Sequence, residues 1–374
     1  MNKLFLLASV CVLSFPVLAE EAADVNLKLA ELVVKAKPDF PIENKADSDV
    51  VVSNEQEAPI AEIIKVVGKI DSVDAAYEDT LLELGRRYNL GYVEMVAANP
   101  GVDPILPGEG TKIILPMQHI IPDVPHEGIV INLAEMRMYD FVTDPNNPKT
   151  YPLGIGRDGL NTPLGITTVT RKKDGPSWRP TARMRSENPE LPSVVLPGPE
   201  NPLGTHALYL GWPQYLIHGT HKPLGVGRRV SSGCIRMYPE DILKVFENIP
   251  VGTKVNVIKH PIKMAWIDDK LFLEAHAEDE LADSYEDIGT IKEYRVPDTL
   301  FKDLSDVAGD QANRLNWEVI RDAVKHRSGI PVSILLDEPL NDIEVTADVL
   351  TTQPLEDIAL EGNPVRAPRL DLNN

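Results

Sequence analysis

The chain has almost no cysteine: two in 374 residues, Cys11 and Cys234. After its first residues it lacks any apolar run of membrane length, the signal of a helical span. It is short of positive charge, with 37 basic residues against 57 acidic ones and a formal net charge of −20. That balance excludes nucleic acid and anionic membrane surfaces as partners. It also lacks a phosphate-binding glycine loop. The "GVGRR" at 225–229 has no strand–helix unit around it and reads as a loop. Proline, by contrast, is plentiful at 32 residues. So many prolines imply many loops and strand edges, which suits a β-rich fold better than a helical bundle.

The first residues, "MNKLFLLASVCVLSFPVLAEEAADV", have a basic start at Lys3, an apolar stretch from Leu4 to Leu18 and small residues at Val17 and Ala19. This is the pattern of a secretory signal with cleavage after Ala19. The apolar stretch is too short to span comfortably as an anchor. Cys11 would leave with the signal, so the expected mature chain holds one cysteine in an oxidising compartment. A lone cysteine forms no internal disulfide. It is either a small buried hydrophobe, a site for intermolecular pairing or a nucleophile.

Residues 20–58 are acidic without a sustained period and read as a lead-in. Residues 60–117 predict a helix capped by Asp79 or Thr80 with Leu81, Leu84 and Tyr88 on one face, a break at Asn89 and Gly91, a second helix from Tyr92 to Asn99, and the strand "GTKIILP". Residues 126–260 have strand-and-turn grammar and one helix. Pro239 starts that helix, and Ile242, Leu243, Phe246 and Ile249 are expected to share a face. A β-sandwich or barrel-like catalytic domain follows from many short strands with one or two helices. Residues 261–334 predict a small C-terminal subdomain with a helix in "NRLNWEVIRDAVKHRSG" ended by Gly329. Residues 335–374 read as a flexible acidic tail.

Sixteen positions before Cys234 stands His218, at the end of the apolar segment "LIH". Neighbouring β elements can bring a cysteine and a histidine together. The imidazole can then take the thiol proton, provided a third group, such as a backbone carbonyl, orients it. Gly233 admits substrate close to the backbone, amides around Gly233–Cys234 can meet a developing oxyanion, and Arg236 adds a fixed charge. His221, three after His218, has no third ligand near it and reads as a surface histidine rather than part of a metal pair. Tyr209 and Trp212 could line a groove or belong to the core. Nothing assigns His206 a role.

The segment "IHGTHKPLGVGRRVSSGCIRM" resembles the catalytic stretch of the L,D-transpeptidase family, whose domain is of the YkuD type. So do "HEGIVINLAEMRMY", "PLGIGRDGLNTPLG", "GPSWRPTA", "GPENPLGTHALYLG" and "IPVGTKV". Ahead of it, "DTLLELGRRY", "ANPGV" and "LPGEGTKIILP" resemble a LysM module, a small βααβ glycan-binding unit; a packing unit without ligand is the alternative.

The resemblance implies a mainly β catalytic domain and the nucleophile Cys234. It implies His218 as the proton carrier, with the Gly219 carbonyl orienting its imidazole. Ser231, Ser232 and Gly233 would shape the oxyanion region, with Arg236 and Tyr209 toward substrate. Many members have histidine where Ser232 stands. The implied substrate is a peptidoglycan stem tetrapeptide, and no metal or cofactor is implied. The acyl acceptor would be a second stem or a terminal lysine of an outer-membrane lipoprotein, and the location periplasmic. Carbapenem-type β-lactams would be expected to trap Cys234. Two rivals stay open: hydrolysis by the same cysteine, and a wall-binding protein with an inert site.

Overall fold

The computed structural model describes residues 65–291 and 298–337. The signal segment, the acidic lead-in and nearly all of the acidic tail lie outside the described residues.

The first part is a βααβ unit with a small extra strand pair. Strands β1 (Val66–Val67) and β2 (Ile70–Asp74) precede helices α1 (Leu81–Arg87) and α2 (Tyr92–Ala98), and β3 (Lys112–Pro116) and β4 (His119–Ile120) follow. β2 pairs antiparallel with β3, and β1 with β4. Thr80 rather than Asp79 caps α1: its side chain accepts the Glu83 amide at 3.1 Å. Leu81 and Leu84 are buried with Tyr88 packed beside them. Asn89 takes a left-handed conformation, φ 60°, and ends the turn.

The second part holds β5 (Ile129–Asn132), β6 (Arg137–Asp140), β7 (Lys149–Pro152), β8 (Ile155–Gly156), β9 (Gly165–Asp174), a short α3 (Ala182–Glu187), β10 (His206–Leu210), β11 (Leu216–His218), β12 (Arg229–Ser231), β13 (Ile235–Arg236), α4 (Pro239–Asn248) and β14 (Lys254–Ile258). Eight of these strands form one sheet in the order β13-β11-β10-β9-β14-β5-β6-β7. β9 runs through both halves, and the register shifts where it meets β10 at Tyr209/Leu210. Such an irregularity bends and twists a strand. The sheet curls until its edges meet: Gly154, just past β7, exchanges both backbone hydrogen bonds with Arg236 of β13 at 2.9 and 2.8 Å. The architecture is therefore mainly β and barrel-like, a single curled sheet whose halves share one core of Ile129, Ile131, Val169, Leu208, Ile217 and Ile235.

α4 covers this core with Ile242, Val245 and Ile249. Leu243, expected on that face, is 42% exposed. One residue along a helix rotates about 100° away from Ile242, whereas Val245 returns to its side.

The third part is richer than its sequence suggested. β15 (Ile262–Ile267) and β16 (Lys270–Ala275) form a hairpin, joined by β17 (Val332–Ser333). Helices α5 (Glu280–Ile288), α6 (Asp298–Ala308) and α7 (Trp317–His326) lie between β16 and β17 in sequence. Asn316 caps α7 by accepting the Val319 amide. Arg327, at φ 50°, ends it, not Gly329. Leu271, Leu304, Ile320, Val324 and Ile334 make a separate core.

The parts are joined by close contacts. Gly91 and Gly227 meet backbone to backbone: a Cβ on Gly91 would lie 2.8 Å from the Gly227 Cα. Only glycine permits that approach. The first amides of α2, at Tyr92 and Val93, donate to the Val226 and Gly227 carbonyls at 3.4 and 3.1 Å. Arg86 of α1 holds Glu240 of α4 through two bonds of 2.9 Å.

Candidate active site

Sheet register gathers the candidate side chains. β11 and β13 run parallel with Ile217 opposite Ile235 and His218 opposite Arg236. Ile217 and Ile235 face the core. Strand alternation therefore turns His218 and Arg236 to the outer face, and Cys234, one position before β13, joins them diagonally from His218. β10 adds Ala207 and Tyr209 to the same face, opposite His218 and Leu216.

His218 is 3% exposed, and its Nδ1 lies 2.6 Å from the Gly219 carbonyl. A carbonyl only accepts, so Nδ1 carries the proton and Nε2 is left with a lone pair. Burial, reinforced by the Arg236 charge, pushes the imidazole pKa down to about 3. Cys234 is half-buried and unbridged. Burial raises its thiol pKa, partly opposed by a backbone hydrogen bond at Leu216 and by Arg236. The thiol donates to the Gln214 carbonyl at 3.3 Å. Both partners are thus neutral at rest, a general-base arrangement rather than a preformed ion pair.

The loop before the nucleophile is tightly specified. Gly233 has φ 102°, and a Cβ there would sit 2.9 Å from the Tyr215 ring. Ser231 Oγ accepts the Gly233 amide at 3.1 Å and donates to the Cys234 carbonyl at 2.5 Å. The Gly233 N–H, expected to face an oxyanion, is consumed inside the loop. The Cys234 amide is then the loop's remaining donor at the nucleophile, beside the Leu216 backbone that already bonds the sulfur. Ser232 is half-buried.

Upstream, the loop is gripped from two sides. Besides the α2 amides, α5 holds it: Arg228 pairs with Glu286, and Arg229 with Asp283 at 2.6 Å.

Arg236 is largely buried beside the site, which lowers its pKa, and no carboxylate pairs with it among the described residues. Arg157 adds a second nearby positive charge. The Arg171 guanidinium stacks 3.6 Å over the half-buried Tyr209 ring. Trp212 packs against the core. His206 rests on Phe246 and contacts Thr205. His221 is half-buried, and its Nδ1 is enclosed without a partner. Gln214, Arg157 and Thr162 were not singled out from sequence. Thr162 stands in the quoted "GLNTPLG", but only its contact with Gly233 marks it.

Among the described residues, His119, Glu135 and Glu274 lie close enough together to hold a metal ion. Its two carboxylates are already paired, while His119 Nδ1 is buried without a hydrogen-bond partner. Lys263 Nζ sits 2.6 Å from Glu135 and 2.9 Å from Glu274, so an ammonium holds the position a cation would take.

A lone thiol, a neutral imidazole fixed by a carbonyl and an arginine with no carboxylate partner among the described residues have the chemistry that acyl transfer by cysteine requires. The comparisons narrow the class. The family model YkuD, L,D-transpeptidase catalytic domain, matches residues 126–257. The chain is 44% identical over 253 residues to the probable L,D-transpeptidase YbiS of Escherichia coli (strain K12), spanning 66% of this chain and 80% of that protein. It is 38% identical over 283 residues to the probable L,D-transpeptidase ErfK/SrfK of Salmonella typhimurium, spanning 74% and 89%. The NMR structure of the catalytic domain from E. faecium L,D-transpeptidase matches 37% of this chain and 100% of its own at 20% identity, with a TM-score of 0.29. This chain belongs to the L,D-transpeptidase family and is an enzyme.

Proposed function

We propose that the chain is a periplasmic peptidoglycan L,D-transpeptidase with Cys234 as nucleophile and His218 as proton carrier. The observation that supports this reading is the register that pairs His218 with Arg236, two positions after Cys234. Cys234 Sγ attacks the carbonyl carbon of the diamino acid at position three of a stem tetrapeptide. The thiol proton passes to His218 Nε2 and on to the departing amine of D-alanine as the C–N bond breaks. A thioester remains on Cys234. An acceptor amine then attacks it, the C–S bond breaks, and the amine proton returns through His218 to sulfur. The Gly219 carbonyl holds the imidazole tautomer throughout.

The Cys234 amide faces the oxyanion, supported by the shape of the Ser231–Ser232–Gly233 loop. Arg236, seconded by Arg157, suits the free carboxylate of the leaving D-alanine, and Tyr209 flanks the groove. The acceptor is an amine of a second stem or of a terminal lysine on an outer-membrane lipoprotein. The βααβ unit is read as a LysM-like glycan-binding module. Tyr77 and Leu106, 83% and 74% exposed, project from its two loops, which are tied together by the Gly110 amide on the Ala75 carbonyl.

The test is mass spectrometry of the protein with purified disaccharide-tetrapeptide, with and without a lysine-terminated acceptor peptide. Loss of D-alanine with a joined product is the expected result, absent in Cys234→Ala. Free tripeptide alone would make the chain a hydrolase. Unchanged turnover in Cys234→Ala would remove the cysteine from the chemistry.

A further inference from the structure

Three successive peptide units surround the nucleophile, and two hydroxyls clamp them. Ser231 Oγ holds the N–H of the Ser232–Gly233 unit and the carbonyl of the Cys234–Ile235 unit. The middle unit, Gly233–Cys234, is held from elsewhere. Thr162 Oγ1 donates to the Gly233 carbonyl at 3.0 Å across 71 positions of sequence. The same hydroxyl accepts the Gly156 amide of β8 at 3.3 Å, so it is anchored to a strand and not to a free loop. Thr162 is 5% exposed. Its neighbours Leu160 and Asn161 press their carbonyls toward Gly233 and limit where that residue can move. Thr162 also walls a cavity of about 180 Å³ with Ile155 and Met136.

The described peptide bonds are trans. In a trans unit the carbonyl and the following N–H lie in one plane and point opposite ways. Fixing the Gly233 carbonyl therefore fixes the direction of the Cys234 amide. Within the loop that amide is the donor left for the oxyanion, because the Gly233 amide is spent on Ser231. A donor serves an oxyanion only when its direction is set in advance.

We propose that Thr162 is a positioning residue for catalysis, which aims the Cys234 amide through the Gly233 carbonyl without touching substrate. The proposal rests on Cys234 being the nucleophile. Thr162→Val keeps the shape and removes the hydroxyl.

The expected result is a fall in kcat for D-alanine release of about tenfold to a hundredfold with KM within about twofold. Alkylation of Cys234 by iodoacetamide, which forms no oxyanion, stays within about twofold of the parent rate on the same reasoning. Thr162→Ser restores turnover. Equal losses in acylation and alkylation would make the residue merely structural and overturn the proposal, as would unchanged kcat or failure of serine to rescue. If the valine variant does not fold, the ratio of acylation to alkylation is taken from Thr162→Ala against Thr162→Ser. Cys234→Ala separates the two readings: an active Cys234→Ala defeats the nucleophile, whereas an inactive one beside a normal Thr162→Val defeats only the positioning.

Discussion

The chain buries two polar clusters of opposite construction. At the junction of its three parts, Lys263 donates to Glu135, to the Tyr139 hydroxyl and to the Ile120 carbonyl, and pairs with Glu274. His276 donates to Glu274 at 2.6 Å, and the Ile120 amide to the same carboxylate. Charges there complete one another. Burial alone would raise the Glu274 carboxyl, but Lys263 and the hydrogen bond from His276 hold it well below the usual range. Around Cys234 the groups are left incomplete: a neutral base, a neutral thiol and an arginine without a carboxylate. A satisfied cluster holds parts together, while an unsatisfied one has affinity left for a substrate.

A crossed pair of variants tests this contrast at its largest. Cys234→Ala should abolish transpeptidation while leaving the melting temperature within about 2 °C, since the thiol makes only weak sulfur hydrogen bonds, with the Gln214 carbonyl and the Leu216 backbone. Lys263→Met should do the reverse. It strands two buried carboxylates at a cost of about 3–5 kcal/mol, read by urea denaturation, with turnover of the remaining folded protein close to the parent. If Lys263→Met lost activity without stability, the junction would belong to the site.

Acidification sharpens the comparison, because both clusters push the same way. His218 gives up its proton near 3 when folded and near 6.5 when free, so between those values the unfolded chain binds more protons. Glu274 also holds its proton less tightly when folded, and its contribution is lost as pH falls through the ordinary carboxylate range and below. Thermal melts should show stability falling steadily from pH 7 to 4. His218→Gln should flatten the upper part of that fall. A parent melting temperature constant over this range would contradict both assignments.

The smallest effect lies on α4. Leu243→Ser should change stability by no more than about 0.5 kcal/mol in the same denaturation assay. Ile242→Ala, one position away and fully buried, should cost about 2–5 kcal/mol.

Much of the fold could be read in advance because it is local. Pro239 opens α4 at its first position, Asn89 breaks α1, and the short segments of β5 and β6 lie on either side of a turn as a hairpin. The "IDDK" turn is a local signal too: Asp268 sits at φ 51° between β15 and β16. Cys234, His218 and Arg236 stood out because an isolated thiol, an imidazole and a guanidinium at that spacing have few structural reasons to occur together. The amino-acid sequence by itself determined these reactive types and the periods that place them on strands.

Tertiary structure alone decided which hydrogen bonds they keep. Whether Gly233 or Cys234 has a free amide depends on Ser231, and the plane of their shared peptide depends on Thr162, which reaches Gly233 across 71 positions. Such pairings are set by sheet register and strand curvature, which sum over the whole sheet, so no local stretch of sequence encodes them.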